Sequence, residues 1–291
     1  MLVIIGFAVV TVSVFLGFFI AGGPLLVLLQ PAEFLIIGGS AAGSLLIATT
    51  PTLLRQIMRQ SLAAVRASPF NRALYLDLLQ LLYELLGKAK KSGLIALEKD
   101  LASPTESTIF SAHPDVLART EAVHFLSEAL GMLVDGTMRA DDFEMVLGAH
   151  LDTHHDEQSK GAMALLKVGD ALPGLGIVAA VLGIVITMQY VAGSPEEIGH
   201  HVAVALVGTF LGIFLSYGYV QPLASNMENQ ADADSRFLLC IKNCLVAFAR
   251  GAPPLVAVEV ARHVIWSEDR PDSEALSEAC RNAGSHGSKA P

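Results

Sequence analysis

The sequence predicts an all-α fold, that of a polytopic membrane protein with four transmembrane helices and a large helical cytoplasmic portion. Its composition, 53% hydrophobic and only 16% charged over 291 residues, is too apolar for a soluble domain of this size. Four long apolar runs occupy residues 2–20, 32–49, 171–191 and 201–220. Each run is close to the ~20 residues with which a helix crosses the hydrocarbon core of a bilayer.

Transmembrane helices one and two are predicted within residues 1–50. The first 54 residues contain one charged residue, Glu33. The amino terminus lacks a basic region and a convincing small-residue cleavage site, so we interpret the first run as a retained span and not as a signal peptide.

The basic residues predict the orientation in the membrane. All 19 Lys and Arg lie in two segments, with 12 between residues 51 and 170 and 7 after residue 220. The connections 21–31 and 192–200 contain none. By the positive-inside rule, both large segments and both termini face the cytoplasm. The net charge of −9 does not favour nucleic acid as a partner.

The loop 51–170 has helical patterns. Arg55, Arg59 and Arg66 are spaced by four and seven residues, which predicts an interfacial helix with a basic stripe against anionic lipid headgroups. Ser68 followed by a proline predicts the start of the next helix, which ends before Gly93.

Two further helices are predicted in this loop and one after it. The loop helices cover 116–134 and 140–154 and are separated by the turn "DGTM". Residues 221–291 predict a cytoplasmic extension of helix four and a tail. The extension is amphipathic and is broken near Gly251, and we expect the tail from about residue 270 to be loosely ordered.

Small residues recur at four-residue spacing within the spans. Such ridges let helix backbones approach closely in lipid, where no hydrophobic effect drives association. We therefore expect helices three and four each to present a flat face to a neighbour. The positions are Gly39, Gly43, Ala179, Gly183, Gly208, Gly212 and Ser216.

Enzyme, metal and cofactor sites are not predicted. No glycine-rich phosphate loop, nucleophile elbow or paired-carboxylate pattern occurs. His150 and His154 are one helical turn apart, as metal ligands can be, but with their acidic neighbours they are more typical of a solvated helix end. The three cysteines are interpreted as structural thiols of a reducing compartment: Cys240, Cys244 and Cys280.

Residues 171–220 predict helices three and four. We expect Asp170 to cap helix three and Pro173 to lie in its first turn, where backbone donors are unpaired. The runs 171–191 and 201–220 contain no carboxylate and no lysine. Because intramembrane transport residues are usually ionisable, an ion path along this chain would need a titrating group from a partner.

Five segments, taken in order, carry a resemblance over nearly the whole chain: "QPAEFLIIGGSAAGS", "LYLDLLQLLYELLGKAKKSGLIALEKD", "VGDALPGLGIVAAVLGIV", "VGTFLGIFLSYGYVQPLA" and "APPLVAVEVAR". They resemble the MotA family, the membrane ring subunit of the bacterial flagellar stator. The related ExbB and TolQ proteins share the pattern of helices three and four, but they generally have three spans in a different order.

The resemblance implies a stator subunit of the bacterial inner membrane that forms a proton channel with MotB and converts proton flow into torque. It implies a ring of five copies around a MotB dimer, whose helix carries the proton-accepting aspartate. Pro173 and Pro222 would couple ion passage to movement of the cytoplasmic part, and Lys90 and Glu98 would face the rotor protein FliG. Arginine is usual at position 90, and lysine keeps the charge but not the planar fork of guanidinium.

The resemblance also bears on the ion. Sodium-driven relatives carry a hydroxyl group where this chain has Ala180, and Thr209 matches a hydroxyl position that both types share. A desolvated sodium ion needs several oxygen ligands, so Ala180 favours protons. We expect the MotB aspartate to pack against Pro173, Ala180 and Thr209.

Three alternatives stay open. One is a self-sufficient ion channel or transporter, and another is an ExbB-like or TolQ-like energiser of a different envelope process. The third is a membrane scaffold in which Asp170 and Pro173 only begin a helix.

Overall fold

A computed structural model describes residues 2–66, 68–136 and 138–286. This part of the chain is helical and contains no strand, so the all-α prediction is confirmed. Its α-helices are α1 Leu2–Ile20, α2 Pro31–Ala48, α3 Pro51–Ala64, α4 Arg72–Ser92, α5 Glu98–Ala102, α6 Thr108–Ser111, α7 Pro114–Leu117, α8 Thr120–Val134, α9 Ala140–Thr187, α10 Pro195–Leu215, α11 Gln221–Ala249, α12 Pro254–His263 and α13 Ser273–His286. A π-helical segment, Ser216–Val220, lies between α10 and α11.

The chain divides into two compact units. The first, here called the membrane unit, comprises Met1–Ala67 and Glu157–Ala231. The second, called the loop unit, comprises Ser68–Asp156 and Asp232–Pro291. Both α9 and α11 contribute residues to each unit.

Four helical segments of the described residues are long and apolar enough to cross a membrane, as predicted: Leu2–Ile20, Leu25–Ala48, Ala140–Tyr190 and Pro195–Ala249. Many of their large apolar side chains are exposed, as Ile47 is at 91%. Such a continuous apolar surface is typical of contact with lipid. Helix three is hereafter the apolar part of α9, and helix four is α10 with the π-helical segment.

The prediction that Asp170 caps helix three is wrong, and so is the predicted end of a helix at residue 154. Helix α9 begins at Ala140, as expected, but it continues for 48 residues and contains both Asp170 and Pro173. The sequence between these points is rich in good helix formers and supplies no stop signal. A proline normally ends or kinks a helix, so α9 needs a partner for the carbonyl that Pro173 leaves free.

Two predicted boundaries in the loop also differ. Helix α4 begins at Arg72, where the side chain of Asn71 accepts a hydrogen bond of 3.0 Å from the Leu74 N–H. The Ser68 hydroxyl instead accepts from Phe70 N–H within a turn. Arg66 lies beyond the end of α3, so only two of the three predicted arginines share that helix.

The core of the loop unit forms around α4, which packs against α12 and α13. Its leucines repeat at helical spacing and are fully buried, for example Leu78, Leu82 and Leu85. The tail prediction is wrong for residues 273–286, which form α13 and bury Leu276 against this core. The last five residues of the chain lie outside the described ranges. The extension of helix four ends at Ala249, before the predicted break.

Candidate functional site

Helices three and four pack backbone to backbone through their small residues. A Cβ atom added at Gly176 would lie only 2.7 Å from the carbonyl oxygen of Gly208. One added at Gly183 would lie 2.8 Å from Ala205 Cβ. Real Cβ atoms essentially never approach so closely, so the predicted flat faces of helices three and four are confirmed, and they meet each other.

The ridge of helix two behaves differently. A Cβ atom at Gly43 would meet no atom of the described residues within 4 Å. One at Gly39 would touch only Leu35 of the same helix, at 4.0 Å. This ridge therefore has no partner in the described part of the chain.

The carbonyl group freed by Pro173 is satisfied by helix four. Proline has no N–H, so the carbonyl oxygen four residues earlier, that of Gly169, loses its helical donor. The Ser216 hydroxyl donates to this oxygen at 2.7 Å, and Ser216 is fully buried. The hydrogen bond explains how α9 accommodates an internal proline.

A second hydrogen bond joins α9 to the start of α11, beside Pro222. The side-chain amide of Gln221 donates to Asp170 Oδ1 at 2.9 Å. Pro222 follows directly, and the π-helical segment ends just before it. Asp170 and Pro222 are exposed, whereas Pro173 is half-buried. The predicted coupling residues of the two helices thus lie around two side-chain hydrogen bonds.

Ala180 and Thr209 lie within the contact of helices three and four. A Cβ atom at Gly208 would lie 3.1 Å from the backbone nitrogen of Ala180, and one at Gly176 would lie 3.3 Å from Thr209 Cα. Both side chains are half-buried. The structure therefore places these two residues in one helix pair with Pro173.

The membrane unit also contains a buried carboxyl group that the sequence reasoning missed. Glu33, in the first turn of α2, is 5% exposed. A Cβ atom added at Gly208 would lie only 2.7 Å from Glu33 Oε2. One feature of the sequence could have indicated this group: Glu33 is the single charged residue among the first 54.

Lys90 and Glu98 are exposed residues of the loop unit. Lys90 lies in the last turn of α4, and Glu98 is the first residue of α5. Neither forms an ion pair with another described residue. A side chain so placed is available to an external surface.

A buried acid fixes the turn between these two residues. Asp100 is 7% exposed, accepts a hydrogen bond from the Ser107 hydroxyl at 2.7 Å and pairs with Lys88. Lys88 precedes Lys90 on α4, and Asp100 follows Glu98 on α5. The pair therefore sets the separation of the two exposed charges.

A buried histidine contacts the same face of α4. His113 Nδ1 lies 2.6 Å from an Asp77 oxygen, and His113 Nε2 lies 3.5 Å from a Glu84 oxygen. Burial opposes the charge on His113, but the hydrogen bonds and charges of the two carboxylates outweigh it and raise its pKa to about 9. His113 is accordingly a cation at neutral pH.

The histidines of α9 do not form the cluster that their spacing permits. The ring of His150 packs against Phe125 at a tilt of 42°, with centroids 5.0 Å apart, and His155 Nδ1 lies 3.1 Å from the Ser235 hydroxyl. His154 Nε2 instead lies 3.4 Å from Glu121 Oε2 and 3.5 Å from Asp234 Oδ2. Within the described residues, these three groups, from different helices, lie close enough together to hold a divalent cation.

Family models match most of the chain. Residues 4–93 match the model described as motility protein A N-terminal. Residues 118–236 match the MotA/TolQ/ExbB proton channel family.

Curated relatives align over nearly the full length. The chain is 36% identical over 281 residues to motility protein A of Salmonella typhimurium, covering 97% of this chain and 95% of that protein. It is 36% identical over 267 residues to chemotaxis protein LafT of Vibrio parahaemolyticus, covering 92% and 94%.

A solved structure has a similar fold. The structure of C. jejuni MotAB contains a chain that superposes with a TM-score of 0.77 at 20% identity, covering 93% of this chain and 98% of that one.

Proposed function

The chain belongs to the motility protein A family of MotA/TolQ/ExbB proton channels, and on this premise we propose how it acts as the membrane subunit of a flagellar stator. In that role it forms a proton channel with a partner and converts proton flow into torque on the rotor. The match of residues 4–93 to a motility-specific model favours this function over a TolQ-like or ExbB-like one.

The partner is MotB, as a dimer that supplies the proton-accepting aspartate. The observation that carries the proposal is the contact of helices three and four, which pack through small residues and contain no Asp, Glu, Lys or Arg in 171–191 and 201–220. A proton path along this contact needs an acid from elsewhere. Chains of similar fold come from C. jejuni MotAB and from the flagellar MotAB stator complex of Bacillus subtilis, in line with this partner, and we propose five copies of this chain around the dimer.

The proton passes the half-buried side chains of Pro173, Ala180 and Thr209. Ala180 offers no oxygen to a sodium ion, which supports protons as the coupling ion. The aspartate of MotB is neutralised next to these residues and releases its proton to the cytoplasm after the ring has shifted.

Coupling occurs at Pro173, inside α9, and at Pro222, in the first turn of α11. One charge that crosses the membrane yields about 2.3 kcal/mol per 100 mV. A hydrogen bond such as Gln221 to Asp170 contributes about 0.5–1.5 kcal/mol. A proton therefore carries enough energy to rearrange one such bond, but not to repack a core.

The rotor protein FliG meets Lys90 and Glu98. Both residues are exposed and make no ion pair within the described residues, which leaves them available. Exposed ion pairs contribute roughly 0–1 kcal/mol, so such contacts can form and release at each step.

The complex lies in the bacterial inner membrane, with lipid around its apolar helices. The loop 51–170 and residues 221–291 face the cytoplasm, in agreement with the basic residues that they carry, and with four spans both termini then lie on that side.

Proton flux in liposomes tests the proposal. We expect the chain to co-purify with the MotB of its own organism and the complex to carry protons, with no requirement for sodium. MotB with its membrane aspartate changed to asparagine is the matched control and should abolish the flux. Flux by this chain without MotB would instead indicate a self-sufficient channel, and sodium-dependent flux would contradict the role of Ala180.

A further inference from the structure

Glu33 carries a buried oxygen atom that has no partner. Its side chain is 5% exposed, and Oε2 makes no hydrogen bond with any described residue. Buried polar groups are almost always hydrogen-bonded, so an orphan atom of this kind requires an explanation. In apolar surroundings a carboxyl group also favours its neutral form, because the charged form is costly there unless it is paired.

The orphan atom points at the helix contact that the proposed function uses. A Cβ atom at Gly208 would lie 2.7 Å from Glu33 Oε2 and 3.1 Å from the backbone nitrogen of Ala180. The carboxyl group therefore occupies space that only a glycine leaves open. Gly208 thus lies next to both Glu33 Oε2 and the backbone of Ala180, one of the two residues to which the family resemblance assigns ion choice.

The position also fits access from one side of the membrane. Glu33 lies in the first turn of α2, directly after the connection 21–30. Gly208 lies 13 residues after Pro195, the first residue of α10, which is about 20 Å along that helix. It is therefore the place of Glu33 in α2 that puts the group near a helix end on the proposed periplasmic side.

A purely structural role for Glu33 has a clear form. Acidic residues in the first turn of a helix interact favourably with the helix dipole. That role, however, needs the carboxylate to face the free N–H groups of its own helix, whereas Oε2 is directed at α10. The dipole alone does not explain why the side chain is buried against Gly208.

We propose that Glu33 is a second proton-binding group of the channel, supplied by this subunit and loaded from the periplasmic side before the acid of the partner. This rests on the proposed function. In the loading step a hydrated proton adds to a carboxylate oxygen and leaves one water molecule, and in the unloading step the O–H bond breaks as the proton passes onward. The ligand is a proton and not a sodium ion, because the other atoms close to a Cβ atom at Gly208, which are Ala179 Cβ and the Ala180 backbone nitrogen, include no oxygen ligand.

Infrared difference spectroscopy detects this group directly. We expect the complex with MotB to show the carbonyl stretch of a protonated carboxylic acid, which an ionised carboxylate lacks. Glu33→Gln should remove that band, and Glu33→Asp should shift it. Glu196→Gln is the matched control, because Glu196 is an exposed acid in the first turn of α10 and should leave the band unchanged.

Proton flux through the same complexes gives a second measurement. Glu33→Gln should slow the flux several-fold without abolishing it, since the acid of the partner remains, and Glu33→Asp should fall between the two. The Glu196→Gln complex should match the unaltered one.

The outcomes separate the two proposals. No flux in the unaltered complex would refute the proposed function, whereas a band lost with Glu33→Gln would still support the proton site. An unchanged band and unchanged flux in Glu33→Gln would overturn the inference, as would a lower melting temperature with unchanged flux. If Glu33→Gln does not assemble, an unshifted band in Glu33→Asp overturns it, and a band that responds to sodium contradicts the choice of ligand.

Discussion

His113 shows how a single residue fixes part of the loop unit. Its ring contacts Asp77 and Glu84, which lie on one face of α4, and His113 is 2% exposed. Burial alone would keep the ring neutral, but two carboxylates make the cation the stable form. The sequence offers no sign of this brace, because His113 is 36 residues from Asp77 and no local pattern joins them.

Raising the pH should weaken this brace. The pKa of His113 is about 9 in the folded chain, above its unfolded value of about 6.5, so its contribution is complete below pH 6.5 and is lost as the pH rises through 9. The loss is on the order of 3 kcal/mol. We expect the melting temperature of the purified complex to fall across this range and His113→Asn to reduce the fall. His124→Asn, at an exposed histidine, is the control, and equal pH profiles for all three would contradict the prediction.

The elements of the membrane unit show where sequence patterns reach their limit. Four spans and the flat small-residue faces of helices three and four follow from local composition and spacing and agree with the sequence predictions, whereas the packing of these two faces against each other is a finding of the structure. The continuity of α9 through Pro173 was not, because the partner of the freed carbonyl, Ser216, lies 47 residues away. The burial of Glu33 was not predicted for the same reason, because its neighbour Gly208 belongs to another helix.

Removing the Ser216 hydroxyl tests that explanation. In Ser216→Ala the carbonyl oxygen of Gly169 loses its donor in a buried position, at a cost of about 1–3 kcal/mol. We expect a lower melting temperature of the complex and slower proton flux. Ser13→Ala removes a hydroxyl from an exposed position of α1 and should change neither. A Ser216→Ala complex as stable and as active as the Ser13→Ala one would show that α9 does not depend on this hydrogen bond.

At the scale of the whole molecule, composition and charge distribution predicted the class of protein correctly. The apolar runs became helices of spanning length, and the resemblance was confirmed by relatives that align over nearly the full chain. Boundaries within the polar part were predicted less well. Ser68 and Asn71 are both good capping residues, and the choice between them depends on the tertiary packing of α4.

Neutralising Lys90 should lower torque only in part. Each exposed contact contributes little, and Glu98 remains when Lys90→Gln is made. We expect slower rotation of tethered cells for Lys90→Gln, a larger loss when Glu98→Gln is added, and normal rotation for Lys160→Gln, an exposed lysine of the membrane unit. Complete loss of rotation in Lys90→Gln, with the stator still assembled, would be inconsistent with a surface of weak charges.

Gly208 also restricts which sequences this fold can accept. Any larger amino acid there would occupy the volume that now holds the Glu33 carboxyl group. Positions 33 and 208 should therefore covary across homologous chains: where evolution adds a methyl group at 208, a smaller or uncharged residue should appear at 33. A redesign that alters one position alone would force either the acid or a neighbouring helix out of place.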